Sequence, residues 1–410
     1  MPARWRTEKT GYQPDVIISE LAKTRNKESD GRVSFKDFRF HEHVAALATM
    51  FELGQVSDTD AYRIVHKALF SAAKSERFDS TAVLAEANKL LAEHHRKPQK
   101  EYRLLTSLSL AACPPRLQFL GTRFSFKGDF GRFRKARTNI LAEAKHNFDI
   151  DLPRNYPLVL SKALGRSPEE AVENGLRTFD LLRAVWNFML NSSESMRMSS
   201  GRHQAVNKIH AGPVHTLHNI NGSSAYDGWW YDPQYSGPVP LFNKRDKTAR
   251  LGAFQRKVWR ILRKHPYRDA LETAFIRYGR AMDLRDWESC YLQLWAVLEQ
   301  LTNTGSGGYG VTVRRASALY ENGEYARQQL LHLRERRNLS VHVGKEHRDA
   351  ETLMYQIKGY VEALLWFQLR AGRQFASIQD AGAFLDLPWT KGELSKQLKA
   401  IRYALTLRST

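Results

Sequence analysis

One segment near the C-terminal end of the chain combines three side chains suited to chemistry on a phosphate group, Arg337, Asn338 and His342. An arginine can bind a phosphate through two parallel hydrogen bonds and stays charged throughout a reaction. A histidine can act as general acid or general base, because imidazole titrates near neutral pH. An asparagine can orient the phosphate or the imidazole. These residue types predict proton transfer at a phosphate ester without a metal ion.

The spacing of these residues calls for a helix. Asn338 and His342 are four residues apart, so a helix places both on one face, and Arg334 extends that face by one turn. Leu330 and Leu333 share another face with the aliphatic part of Arg337 and predict contact with a core. The β-branched residues and the glycine that follow have low helix propensity and predict a helix end near His342.

Arg334 and Arg336 add positive charge beside these residues and are predicted to contact nucleic acid. The alternative interpretation is a solvated helix face on a basic protein, because an arginine followed five residues later by a histidine occurs by chance in many chains of this length. The features that favour a site are Asn338, the helical setting and an upstream amphipathic helix that contains Glu299.

Long amphipathic helices are predicted around this segment. Helical spacing of apolar residues predicts helices at about 248–264, 267–282, 284–303, 311–320, 324–342, 347–371 and 391–407. The third and the sixth each carry one continuous apolar stripe, and two helices of this kind suit an antiparallel bundle.

The rest of the chain divides into segments of different character, so the predicted fold is mainly α with a small β-containing segment. Residues 1–100 have helical spacing, with Asp58 and Asp79 as predicted caps. Residues 101–165 form a mixed segment with strands at 102–110 and 116–126. Residues 166–410 form a helical domain that begins at Ser167, with Glu170 completing a capping box. Within it, residues 191–245 are predicted to be one long polar loop.

The segment around Arg337 resembles the ribonuclease motif of HEPN domains, which are helical bundles of prokaryotic toxins and defence proteins. The resemblance rests on Arg337, four intervening residues and His342, with Asn338 directly after the arginine. The upstream helix at 291–302, with Glu299 at its acidic position, and the tail at 377–388 are similar to the Apea-like HEPN subgroup. The resemblance covers about residues 170–410 and leaves residues 1–165 unexplained.

The resemblance implies a C-terminal HEPN-like helical bundle that is a metal-independent endoribonuclease, cleaving RNA through attack of the 2′-hydroxyl on the adjacent phosphate. Arg337, Asn338 and His342 would form the catalytic group, and Glu299 would pair with Arg337 or fix the His342 tautomer; a solvent-facing glutamate is the alternative. Because one histidine cannot easily make both proton transfers, a homodimer or a partner chain would complete the site. A defence or toxin effector is implied, with a phage-derived trigger or regulatory partner and residues 1–165 as sensor or restraint.

The net charge independently favours a polyanionic partner. The 410-residue chain has 63 lysines and arginines against 43 aspartates and glutamates, a formal net charge of +20, which attracts nucleic acid over long range. Arg256, Arg260 and Lys264 share one helix face and are predicted to line an RNA channel, although a solvated basic face explains them as well. Residues 124–135 interleave phenylalanines with cations, a mixture that suits unpaired bases or, alternatively, a strand pair with a phenylalanine core.

Several other classes of protein and site are disfavoured. No apolar run is long enough for a membrane span and no signal peptide is evident, so a cytoplasmic protein without membrane contact is expected. Cys113 and Cys290 are expected to be buried free thiols. His210, His215 and His218 lack a matched second element for zinc, and neither a metal nor a cofactor is expected. The remaining alternatives are a non-catalytic nucleic-acid-binding protein that uses the bundle to dimerise, and a subunit of a larger complex.

Overall fold

The computed structural model describes residues 2–6, 11–54, 56–111, 116–126, 130–147, 152–153, 155–194, 196, 204–232, 234–235, 237–304, 308–343 and 349–408. Side chains at 144–145, 309 and 342–343 lie outside this description, as does the whole of Cys113. Within these ranges the chain is mainly helical with one larger sheet, which confirms the coarse fold prediction.

The N-terminal elements have a hydrophobic core of their own, which contains Ile18, Leu47 and Leu69. Ser57 caps α3 through its side chain, so the predicted cap Asp58 is wrong: it is the first helical residue, while Asp79 caps α4 as predicted. The elements are β1 (Arg4–Trp5), α1 (Pro14–Thr24), β2 (Arg25–Lys27), β3 (Val33–Phe35), α2 (Phe40–Met50), β4 (Phe51–Glu52), α3 (Asp58–Ala72) and α4 (Ser80–Arg96).

An antiparallel sheet follows, with the strand order β10-β9-β5-β8-β7-β6. Its elements are β5 (Lys100–Ser107), β6 (Arg116–Phe119), β7 (Thr122–Ser125), α5 (Gly131–Asn147), β8 (Leu158–Gly165), β9 (Val214–His218) and β10 (Trp230–Tyr231). The single strand predicted at 116–126 is wrong, because Leu120 and Gly121 have φ values of 52° and 78° and turn the chain into a hairpin. Gly121 reaches this left-handed conformation without a steric penalty.

The single long loop predicted for 191–245 is also wrong. This segment contributes β9 and β10, and every residue of β9 is buried. β9 pairs with β5, so the segments at 101–165 and 166–410 share one sheet. The sequence does not show this burial, because the strand contains two histidines and a threonine, which are polar but hydrogen-bonded inside this sheet.

The C-terminal half is helical and packs against that sheet. Ser167 caps α6 as predicted, and the Glu170 carboxylate accepts a hydrogen bond from the backbone amide of Arg166. The sequence analysis did not predict α13. The predicted end of α7 is two residues too late, since Lys264 lies beyond the last helical residue. The helices are α6 (Pro168–Asn191), α7 (Arg245–Leu262), α8 (Arg268–Asp283), α9 (Trp287–Leu301), α10 (Tyr309–Ser317), α11 (Gly323–Val343), α12 (Ala350–Ala371), α13 (Ile378–Leu385) and α14 (Lys391–Arg408).

One hydrophobic core joins the sheet to these helices, from Phe119 and Phe124 in the hairpin to Leu294 on α9 and Leu364 on α12. α9 and α12 pack along each other, and α11 packs on α10. Cys290 is a buried free thiol, as predicted, and burial raises its pKa. Among the helices described, none combines the length and the apolar composition needed to cross a bilayer.

Candidate functional site

α11 carries the predicted catalytic segment and is anchored at its beginning and along one face. The Asn322 side chain accepts a hydrogen bond from the backbone amide of Tyr325 at 3.1 Å and satisfies one free donor of the first turn. Leu330 and Leu333 are fully buried, as the periodicity predicts. The described part of the helix runs to Val343, and the residues at which the sequence predicts its end lie partly outside the described residues. Burial of the leucines fixes the rotation of the helix and therefore the direction of its polar face.

Tyr291 of α9 fixes the turn from which Arg337 projects. Its hydroxyl donates to the Leu333 carbonyl and meets the backbone amide of Arg337, so a side chain enters the hydrogen-bond ladder of α11. Tyr291 is 1% exposed, and burial raises its pKa although the Arg337 amide and the charges of Arg337 and Arg336 act in the opposite direction. The hydroxyl therefore stays protonated at neutral pH and works as a donor.

The polar face of α11 brings Arg337 and Asn338 together. Both are half-buried, and Arg337 Nη1 donates to Asn338 Oδ1 at 3.5 Å, the outer limit of a hydrogen bond. His342 follows on the same helix, so its backbone position shares the face of Asn338. The His342 side chain lies outside the described residues. The described part of the site is therefore the partly desolvated guanidinium of Arg337 next to the side-chain amide of Asn338.

Arg334 and Arg336 flank this face and are half-buried. Arg336 Nη2 lies 3.8 Å from Asp349 Oδ2, at the entry to α12. Both side chains of this pair are about one third exposed or more, so solvent screens the attraction. The contact places the polar end of α11 beside the N-terminal end of α12.

Glu299 is engaged on its own helix. Its carboxylate accepts a hydrogen bond from Trp295 Nε1 at 2.7 Å, four residues earlier on the same helix. It stands eight residues beyond Tyr291, about 12 Å along α9 at 1.5 Å per residue. Among the described residues, no ion pair joins Glu299 to Arg337, and the alternative role of Glu299 at the His342 tautomer falls on a side chain outside them.

Cations of the second predicted group surround an open cavity of about 440 Å³ at the end of α7. Arg260 and Lys264 line it, together with Lys257 and Arg373, whereas Arg256 is exposed one turn earlier and does not line it. No carboxylate lines the cavity, and none of its four cations forms an ion pair within the described ranges. Arg373 could not be predicted from the local pattern, because it reaches the cavity from just beyond the far end of α12.

The two cationic groups lie at opposite ends of one helix. Arg336 meets Asp349 at the beginning of α12, whereas Gly372 and Arg373 follow directly after its end. α12 has 22 residues and is thus about 33 Å long. The structure therefore does not bring Arg260 and Lys264 next to Arg337 in the same chain.

The three histidines of the 204–232 segment do not share a metal site. His215 Nδ1 bonds Thr106 Oγ1 at 2.7 Å, His218 Nε2 bonds Thr216 Oγ1 at 2.9 Å, and His210 lies beside Asp283. Burial, aided by the charge of Arg137, lowers the pKa of His215 to about 3 and that of His218 to about 4. Both are neutral hydrogen-bonding groups inside the sheet.

Among the described residues, a different trio has ligand atoms close enough to share a metal ion. It consists of Asp60, His94 and Glu170. Its oxygens are already bonded: Asp60 accepts from Arg63 and from the Ser57 and Ser167 hydroxyls, and Glu170 accepts from Arg166. Two arginines would repel a cation there. The trio is best explained as a polar junction between the N-terminal helices and the start of α6.

Comparison with protein-family models, with curated proteins and with solved structures found no significant match for this chain.

Proposed function

We propose that the protein is a metal-independent endoribonuclease of the HEPN type, with Arg337, Asn338 and His342 as its catalytic group. The observation that carries the proposal is the setting of Arg337, half-buried beside Asn338 on a turn that the Tyr291 hydroxyl holds. A solvated helix face would leave its arginines exposed and without such a support. Preorganised donors stabilise the charge that develops on a phosphate more than mobile ones do.

The proposed reaction uses two proton transfers. One His342 imidazole takes the proton of the RNA 2′-hydroxyl, whose oxygen then forms a bond to the adjacent phosphorus. The bond from phosphorus to the 5′-oxygen breaks, and a protonated imidazole supplies the proton to that leaving oxygen. Arg337 balances the negative charge on the phosphorane, and Asn338 orients the phosphate. The products carry a 2′,3′-cyclic phosphate and a 5′-hydroxyl.

A homodimer supplies the second histidine in this proposal. Each chain carries one His342, so the base and the acid come from two copies that face each other. A second copy is also what the C-terminal helix needs. No residue of α14 is buried, and its stripe of Leu394, Leu398, Ile401 and Leu405 is between 38% and 64% exposed.

The partner that fits the exposed stripe of α14 is the same region of a second copy of this chain. An apolar groove of about 310 Å³ lies at the base of α14, lined by Phe384, Leu387 and Trp389 with Glu321 at its rim. α14 itself carries five cations and one glutamate. Reciprocal docking of two helices into two grooves buries both apolar surfaces and sets basic α14 residues against Glu321.

Residues 1–165 are proposed to restrain or trigger the nuclease, in a cytoplasmic defence or toxin effector that answers a phage-derived signal. The contacts between the N-terminal helices and α6 are polar: Thr59 Oγ1 donates to Glu173 at 2.7 Å, and Arg63 Nη1 to Glu169 at 3.3 Å. Polar interfaces of this kind are typical of units that move relative to one another. They support a regulatory unit formed by the N-terminal helices up to Arg96, whereas residues 100–165 share their sheet and core with the helical half.

A second candidate function is non-catalytic binding of nucleic acid. It is favoured by the cavity at the end of α7, whose four exposed cations face no carboxylate in the part of the chain that the structure describes. Such a surface attracts a phosphate backbone without any catalytic geometry.

One experiment separates the two functions. Purified protein is incubated with total RNA in EDTA, and the new ends are analysed. Cleavage that leaves 2′,3′-cyclic phosphates supports the nuclease, whereas RNA binding without cleavage supports the second candidate. Complete dependence on magnesium would contradict the proposed chemistry.

A further inference from the structure

The sheet region contains a buried arginine that has no carboxylate beside it among the described residues. Arg137 of α5 is 6% exposed, yet it forms no ion pair with any carboxylate in the described part of the chain. Its Nη1 donates to the Leu105 carbonyl at 3.1 Å and to Thr216 Oγ1 at 3.3 Å, and its Nη2 donates to the Val214 carbonyl at 2.8 Å. Taking a guanidinium out of water is costly unless an opposite charge compensates.

A second buried arginine shows what compensation looks like in this protein. Arg183 is 3% exposed and pairs with Asp283 at 2.5 Å and Asp180 at 3.2 Å. These carboxylates raise the pKa of Arg183, whereas burial alone lowers the pKa of Arg137 to about 10. Arg137 still carries its charge at neutral pH, and neutral His215 and His218 are its titratable neighbours in the sheet.

Arg137 forms the floor of a cavity of about 190 Å³ that opens to solvent beside α5. Arg134, one turn earlier on α5, lies exposed at the mouth, with Thr138 beside it. Ser107 at the end of β5 and Tyr156 complete the polar lining. The Tyr156 hydroxyl is already engaged, since it donates to the Val239 carbonyl and accepts from the Val239 amide.

The size and the donors of the cavity define what it can hold. A guanidinium has five N–H groups, and the three hydrogen bonds of Arg137 leave two for a bound group. Small-molecule sites usually measure about 300–1,000 Å³, so this cavity suits one anionic group rather than a whole nucleotide. Ser107 remains available to it because position 212 is glycine: a Cβ there would lie 2.0 Å from Ser107 Oγ.

We propose that this cavity binds a terminal phosphate, with Arg137 at its floor, Arg134 at its mouth and the Ser107 and Thr138 hydroxyls as further donors. Two arginines and two hydroxyls match the three oxygens and the double charge of a phosphate monoester. The phosphate can belong to the end of an RNA strand or to a free nucleotide that acts as a signal. The site is separate from the Arg337 group and does not depend on the nuclease proposal.

The test is titration of the full-length protein with inorganic phosphate in a chloride buffer, followed by calorimetry. We expect saturable binding that Arg134→Ala weakens roughly tenfold or more, since each hydrogen bond to a charged group contributes strongly. Lys135→Ala is the matched control, because it removes the same charge from an exposed neighbour that does not line the cavity. Arg137→Lys keeps the charge but loses the planar fork, and it should weaken binding as well.

Competition experiments identify the source of the phosphate. A 5′-phosphorylated RNA oligonucleotide that binds more tightly than its 5′-hydroxyl counterpart would identify a strand end, and a nucleoside monophosphate that outcompetes both would identify a free nucleotide. Since Arg134 is exposed, its replacement leaves the fold intact and keeps the test decisive even if Arg137→Lys fails to fold. Equal phosphate affinity in wild type and Arg134→Ala, or an equal loss in Lys135→Ala, would overturn the proposal.

Discussion

The Arg337 face of α11 and the cavity at the end of α7 are both cationic, yet their arginines are held in different ways. Arg337 is half-buried beside Asn338, on a turn that the buried Tyr291 hydroxyl supports. Arg260 is exposed, and the hydrogen bond that its guanidinium makes among the described residues goes to the Arg256 carbonyl of its own helix, at 3.4 Å. The first arrangement fixes a donor in space, whereas the second raises local positive charge.

The difference separates two tasks that net charge alone cannot distinguish. Catalysis depends on donors whose position does not change as charge develops, and long-range attraction to a polyanion depends on the number of cations. Because α12 holds the two groups about 33 Å apart, they can be altered independently. A substitution in one group can therefore be tested with the other group as an internal control.

The largest effect is expected from His342→Ala. The rate of RNA cleavage should fall by about 10²–10⁴-fold, because a general acid or base is lost, while RNA affinity stays close to wild type. His332→Ala provides the control, since His332 is exposed on the same helix and no part of the proposed site. Cleavage that persists in His342→Ala at the wild-type rate, measured on labelled RNA in EDTA, would remove His342 from the site.

A large effect is also expected from breaking the exposed stripe of α14. Leu398→Glu or Ile401→Glu should raise the dimer dissociation constant at least tenfold, because burial of each side chain contributes about 1.5–3 kcal/mol in each copy. Cleavage should fall in parallel, since the second histidine is lost. Ser395→Glu is the control on the same helix and lies off the stripe. Sedimentation that shows a monomer for wild type at working concentrations would refute the homodimer.

A smaller effect is expected from the cavity at the end of α7. Arg260→Ala and Lys264→Ala should each weaken RNA binding a few-fold and lower the slope of log affinity against log salt by roughly one unit. Cleavage at saturating RNA should not change. Arg263→Ala removes the same charge from an exposed residue outside the cavity and should have less effect. Equal slopes for Arg260→Ala and Arg263→Ala would show that the cavity is only part of a diffuse basic surface.

Tyr291→Phe should have a modest effect on both stability and rate. Removing the hydroxyl leaves the Leu333 carbonyl without this donor and should lower the free energy of unfolding by about 1 kcal/mol. Looser positioning of Arg337 should lower the cleavage rate a few-fold with little change in RNA affinity. Tyr325→Phe, on an exposed position of α11, is the control for both measurements. A stability loss without any change in rate would reduce Tyr291 to a packing residue.

The sequence predicted the parts of this molecule that depend on local pattern. Ser167, Asp79 and the buried leucines of α11 follow from capping and periodicity, which act within one or two helical turns. β9 has no such local pattern, because its two histidines and its threonine are polar in the sequence. Inside the sheet His215 bonds Thr106 of β5, and Thr216 bonds His218 and Arg137 of α5. Long-range pairing of this kind has no local signature.

The candidate site divides in the same way. Arg337, Asn338 and His342 were recognisable because one helix carries all three, whereas Tyr291 and Arg373 reach their places only through packing of α9 and α12. To predict whether Glu299 pairs with Arg337, one must know how far α9 and α11 are shifted along each other. Periodicity gives the face of a helix but not that position.

The smallest effect is expected from Glu299→Gln. Its carboxylate accepts a hydrogen bond from Trp295 Nε1, and a glutamine amide oxygen can accept the same bond, so stability should change by less than about 0.5 kcal/mol. Because Glu299 stands about 12 Å along α9 from Tyr291, the cleavage rate should change less than twofold. Glu299→Ala, which removes the acceptor altogether, controls for the Trp295 contact. If the cleavage rate fell for Glu299→Gln as far as for His342→Ala, Glu299 would belong to the catalytic group. It would then act on the Arg337 group of a second copy across the dimer.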